Sequence, residues 1–184
     1  MIHAVLLAAA IAANTSMSPA MGESHGRYLG QPDLTLTTQM IEAGGGPANF
    51  SSHKLFLYLT GSKADAEASA LTTRFGADNI TQFFTTFDQF VKLAVAQVQE
   101  QKIALPTPAA APPDQLARSL YAAGVMPDGR YDVGYMLEHL LSRPMHVTLM
   151  HQVNDDPAFG PQKNAEFHVI LTAAMHDLHQ VYGS

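Results

Sequence analysis

Histidine carries the chemistry in this chain, and its distribution is uneven. Nine histidines occur, and six of them (His139, His146, His151, His168, His176 and His179) fall between Asp132 and Tyr182. Neutral imidazole binds transition metals and haem iron and shuttles protons near neutral pH. The same stretch contains Met136, Met145, Met150 and Met175. Thioethers bind haem iron or copper, although methionine more often fills irregular gaps in a core.

Spacing decides which of these residues could act together. The pattern predicts three consecutive amphipathic helices between Asp132 and Tyr182. In the first, capped by Asp132, the residues Val133, Met136, Leu137, Leu140 and Leu141 share a face, and His139 flanks it at roughly 120°. Ser142-Arg143-Pro144 breaks that helix, and Pro144 suits the first turn of the next, predicted over 145–153. There His146 falls inside the apolar face formed by Met145, Leu149, Met150 and Val153, while His151 points elsewhere. The last helix opens at Gly160-Pro161, and Phe167, Ile170, Leu171, Ala174, Met175, Leu178 and Val181 form its stripe. His168 and His179 border that stripe on one side, but about 16 Å apart along the axis, too far to share an ion. His176 lies opposite the stripe. The pair His176 and His179 has metal-ligand spacing without the general base of a zinc-protease helix, and it faces water.

A site assembled between helices is therefore the chemically interesting arrangement. His146 would be its principal ligand, with His168 or His139 as partner and His179 and Met150 as further donors. Haem b or a divalent transition metal would suit such a site, and its affinity would weaken as pH falls through the histidine range. A helical binding protein, presenting these helices to a small-molecule or protein ligand, is the other reading and the simpler one. No nucleophile motif, Walker loop or dinucleotide fingerprint accompanies the histidines.

The rest of the chain supplies the frame. Short helices are expected over 33–43, from a cap at Ser51 or Ser52 through Leu59 to Gly61, and over 62–75, punctuated by Gly44-Gly45-Gly46-Pro47, Gly61 and Gly76. The longest helical pattern runs over 78–103. Ile80, Phe83, Phe84, Phe87, Phe90, Val91, Ala94 and Val98 recur in it at three- and four-residue spacing, an aromatic stripe of core character. A Pro/Ala-rich connector occupies 105–113, and a short helix capped by Asp114 follows before the turn Pro127-Asp128-Gly129. With no alternating strand pattern, the chain reads as all-α: a single-domain irregular bundle of about six to eight helices over 32–184.

Residues 1–20 have the character of an export signal, an apolar run from Ala4 to Ala13 followed by small residues at Ser18 and Ala20, and 21–31 reads as a flexible leader. The expected location is thus periplasmic or secreted. The apolar run is too short for a permanent membrane span. Ten Lys+Arg against sixteen Asp+Glu give a net charge of −6 without a basic cluster, which argues against nucleic acid as a partner. The absence of cysteine excludes thiolate chemistry and covalent c-type haem. Gly45-Gly46-Pro47 followed by Phe50 resembles the turn before the haem-ligand helix of truncated globins. That family's proximal histidine would fall where this chain has Leu57, Tyr58 and Leu59, so neither its fold nor its haem is carried over.

Overall fold

The computed structural model describes residues 27–183. The expected export signal and most of the leader lie outside the described residues. Among these residues the chain forms eight α-helices: α1 Leu34–Ala43, α2 Ser52–Thr60, α3 Ala64–Phe75, α4 Ala77–Glu100, α5 Pro113–Ala123, α6 Val133–Leu141, α7 Arg143–Asp155 and α8 Gly160–Tyr182. The only bridge of β type among them joins Val125 to Tyr131 around the Pro127-Asp128-Gly129 turn. No described helix is long and apolar enough to cross a membrane.

Two long helices form the spine. α8 packs against α3, α4, α5, α6 and α7, and α4 lies beneath it along the bundle. The aromatic stripe of α4 meets α8 at Phe167, whose ring centroid lies 5.6 Å from Phe83, 5.6 Å from Phe87 and 6.0 Å from Phe90. Phe167 is among the most completely buried side chains. Aromatic rings at these separations add edge and offset attraction to the burial of their large apolar area. The stripe is core, as its spacing implies.

Several boundaries differ from the sequence pattern, each for a local reason. A turn of 3₁₀ helix at Gly61–Lys63 delays α3 to Ala64. α4 stops at Glu100 because Lys102 adopts a positive φ of 54°. The amide of Ile103 then donates to Val98 O at 3.0 Å and that of Lys102 to Gln99 O at 3.1 Å, a reversal that closes the helix end. α5 starts one residue before Asp114, with Pro113 in its first turn and Pro112 at the cap, so Asp114 pairs with Arg118 instead of capping. α7 is longer than expected, running from Arg143 to Asp155.

The short helix α1 is rich in threonine, a poor helix former, and tertiary bonds explain why it holds. The break at Ser142 and Pro144 leaves carbonyls at the end of α6 without a helical donor, Leu140 O because Pro144 has no N–H and His139 O because the chain turns at Ser142. α1 covers that end. Asp33 donates its amide to His139 O at 2.8 Å, and the Thr37 hydroxyl sits 2.6 Å from Leu140 O. Thr37 is buried, as is the carbonyl it serves. Replacing Thr37 by valine, similar in shape but without the donor, should leave Leu140 O orphaned and cost about 1–3 kcal/mol. Urea denaturation of Thr37→Val against Thr37→Ser checks this, with serine expected to retain most of the stability.

Candidate functional site

The C-terminal helices bring His146 and His168 together. The N-terminal turn of α7 is fixed by Ser142, at a positive φ of 76°, and by Pro144 at its second position. That geometry turns Met145, His146, Leu149 and Val153 into the core. α8 approaches with Asn164, Phe167, His168 and Leu171 on the facing surface. His146 faces His168, and Met150 and Asn154 face Asn164, so ascending numbers on α7 meet descending numbers on α8. The two helices run antiparallel across this seam.

The imidazole rings lie 6.4 Å apart between centroids with planes inclined by 26°, too distant for face contact. Phe90 of α4 closes one side with its ring centroid 6.4 Å from that of His146, and Phe167 packs edge-on to His168. His146 is only 8% exposed, and both its ring nitrogens are sealed from solvent without a hydrogen-bond partner. His168 keeps part of its surface exposed, but its Nε2 is buried and equally unpartnered. One turn away, Asn164 Nδ2 donates to Asn154 Oδ1 at 2.8 Å and lies 4.0 Å from the Met150 sulfur, while its own Oδ1 has no partner. On the α4 side of α7, Gln97 Nε2 donates to Gln152 Oε1 at 3.2 Å and Gln97 Oε1 is left over.

The buried orphan atoms found among the described residues thus all border α7. Buried donors and acceptors are nearly always paired, and each unpaired one costs about 1–3 kcal/mol. Here they concentrate along one helix, at its contacts with α8 and α4.

Nearby carboxylates each accept one backbone amide. Glu138 Oε1 lies 3.9 Å from His146 Nδ1, too far for a hydrogen bond. Its Oε2 accepts from the Tyr28 amide at 3.0 Å, and Arg143 lies 3.8 Å from Oε1. Asp132 Oδ1 accepts from the Tyr135 amide at 2.7 Å as the cap of α6. Gly134 leaves room beside His146: a β-carbon there would stand 4.0 Å from its Cε1 and 3.1 Å from Asp132 Oδ1.

Burial governs the protonation of the pair. Desolvation, with the like charge of His168 second, pushes His146 down to about 3. Desolvation also holds His168 down at about 4, against a smaller upward pull from Asp132. Both imidazoles are therefore neutral at neutral pH, the form that ligates.

The remaining histidines are placed elsewhere. His139 stacks on Tyr28 at 4.3 Å, with Nδ1 3.2 Å from Ala123 O. His179 is exposed and stacks at 3.9 Å on Tyr121, whose other contacts include Tyr131 at 4.6 Å. His176 is exposed and reaches the Tyr121 hydroxyl at 3.3 Å, and His151 is exposed on α7. Of the four histidines expected as metal ligands, His146 and His168 converge. His139 and His179 instead stack on tyrosines at the edges of the bundle. Among the described residues no group of three or more His, Cys, Asp or Glu side chains is placed to hold one ion.

The apolar cavities are small. One of about 50 Å³ lies among Met40, Leu55, Phe83, Phe87, Met136 and Met175, and another of about 30 Å³ lies beside Phe90 and Leu140. A drug-sized ligand needs roughly 300 Å³ or more, and a porphyrin is larger than most such ligands, so neither cavity fits haem b as the helices stand.

The fold defines the protein's class as an all-α helical bundle, and the site is a polar seam inside it. Comparison with protein-family models, with curated proteins and with solved structures finds no match.

The depressed histidines couple stability to pH. An unfolded histidine takes up a proton near pH 6.5, whereas these two stay neutral in the fold until pH falls to about 4 and about 3. Between those limits the unfolded state binds more protons, so stability present above pH 6.5 is lost as pH falls. The loss from pH 7 to pH 5 should be on the order of 3 kcal/mol. Urea midpoints across that range measure it. The double variant His146→Phe, His168→Leu should show a much flatter profile, whereas an equally steep one would place the coupling in other groups.

Proposed function

We propose that this chain is a small helical binding protein whose ligand is a metal ion held in the α7–α8 seam by His146 and His168. The observation that carries this reading is the cluster of unpartnered buried atoms along α7: His146 Nδ1 and Nε2, His168 Nε2, Asn164 Oδ1 and Gln97 Oε1. An ion accepting lone pairs from two neutral imidazoles would relieve the most costly of these orphans without adding a proton or opening a large cavity. Two imidazoles sharing an ion at about 2.0 Å per nitrogen have ring centroids roughly 5 to 6 Å apart, so these rings, 6.4 Å apart, would draw slightly together on an ion. Partial exposure of His168 gives an ion a route in from solvent.

Binding is favoured over catalysis by what surrounds the rings. A histidine acting as general base needs a nucleophile or substrate proton within hydrogen-bond reach. Apolar and aromatic side chains occupy the adjoining surface: Phe90 beside His146 and Phe167 beside His168.

The test is metal analysis and ion titration of the protein purified without a histidine tag, across a panel of first-row ions in both mono- and divalent states. About one equivalent of some ion should bind, and His146→Ala and His168→Ala should each abolish it. His176→Ala, which alters an exposed ring, should bind as the parent does. Lack of binding by any ion, or binding that follows His176 instead of His146, would overturn the reading.

A further inference from the structure

This inference rests on the proposed function and assigns the roles of the two His146 nitrogens. We propose that Glu138 of α6 orients His146 for a divalent ion of the zinc kind. Its Oε1 accepts the Nδ1–H of His146, which leaves His146 Nε2 and His168 Nε2 as the nitrogens that bind. Glu138 is a positioning residue here and not a ligand, in keeping with the lack of a three-residue ion cluster among the described residues.

The ring of His146 turns one edge towards α6. Glu138 Oε1 lies 3.9 Å from Nδ1, and a β-carbon on Gly134, one turn earlier on α6, would stand 4.0 Å from Cε1. Nδ1 and Cε1 are adjacent ring atoms, so the edge they form faces the helix that carries the carboxylate. Glycine at 134 keeps a side chain from intruding there. The carboxylate itself is held from behind: the Tyr28 amide donates to Oε2 at 3.0 Å, and Arg143 Nε lies 3.8 Å from Oε1. Only 14% of the Glu138 side chain is exposed. One oxygen is thus anchored, and the other stands about 1 Å short of a charge-assisted hydrogen bond to the imidazole.

Three of the buried unpartnered atoms belong to the two imidazoles: His146 Nδ1, His146 Nε2 and His168 Nε2. A neutral imidazole offers one N–H and one lone pair. With the proton of His146 on Nδ1, the carboxylate serves the N–H and the ion takes both Nε2 lone pairs, so all three atoms are satisfied at once. With the proton on Nε2, an N–H would stay buried without an acceptor while Nδ1 turned its lone pair towards an anion. An ion on Nε2 also strengthens the Nδ1–H bond to the carboxylate, and the carboxylate in turn raises the basicity of Nε2. Closure of the remaining gap therefore accompanies binding. The same anion favours a doubly charged ion, because buried charge is stable only when it is offset. Glu138 supplies negative charge beside His146, and Asp132 of the cap of α6 acts on His168. Imidazole nitrogen suits zinc, and a carboxylate behind the ligating ring is its usual support.

The experiment is nitrogen-15 NMR of the imidazole rings in the whole protein loaded with one equivalent of Zn(II), together with Zn(II) titrations of the parent and of Glu138→Gln. In the loaded parent, His146 should ligate through Nε2 and carry its proton on Nδ1. The carboxamide of Glu138→Gln keeps an acceptor for the Tyr28 amide but lacks the anion, and Zn(II) affinity should fall by roughly 10- to 100-fold. The tautomer is read on the parent, so it decides the matter even where the variant loses its fold. Zn(II) bound through His146 Nδ1, or a folded Glu138→Gln that binds as tightly as the parent, would overturn this inference and leave the proposed function standing. Uptake of another ion through His146 and His168 with none of Zn(II) would do the same. No uptake of any ion would overturn both.

Discussion

The constraint on which this structure turns is the burial of uncompensated polar groups between α7 and its neighbours. The bundle is otherwise an apolar one, built on a phenylalanine stripe along α4 that grips Phe167 of α8. Against that aromatic wall the chain places two imidazoles and two carboxamides whose hydrogen-bonding capacity is not used up. An apolar residue would fill either histidine position at lower cost. The arrangement is stabilised elsewhere, by the large apolar contact of α8 with the helices around it, and that surplus lets the seam remain polar.

The neighbouring elements hold the seam in place rather than contribute to it. Ser142 and Pro144 set where α7 begins and therefore which of its faces turns inward. α1 caps the carbonyls that this break exposes, through Asp33 and Thr37. Glu138 and Asp132, the carboxylates nearest the imidazoles, are tied to backbone amides and do not neutralise them. The pair is packed against Phe90 and Phe167 and kept neutral by burial, the state in which imidazole lone pairs are available.

Much of this was legible in the sequence, and the limits of legibility are physical. Periodicity and caps located α6, α7 and α8, because Asp132, Pro144 and Gly160-Pro161 act through local backbone chemistry. The helical wheel put His146 on an apolar face and His168 at the edge of one, as they stand. Their meeting depends on the register between two helices, which no local pattern encodes. The same reason hid Asn164, although its position three residues before Phe167 and four before His168 places it on the inward side of α8. Thr37 illustrates the converse case, in which a tertiary bond to Leu140 O overrides a poor local propensity. The end of α4 at Glu100 was missed because the left-handed residue is Lys102, where glycine would have announced the reversal. His139 and His179 flank apolar faces on their own helices, yet their rings stack on Tyr28 and Tyr121, contacts that periodicity does not specify.

The central claim is that ions bind in the seam and not at the exposed histidines. Nitrogen-15 NMR of the imidazole rings, recorded before and after one equivalent of a diamagnetic ion that the protein binds, tests it most directly. Ring-nitrogen shifts of His146 and His168 should move together while those of His151, His176 and His179 stay in place. Shifts confined to His176 and His179 would locate binding on the exposed face of α8 and contradict the account.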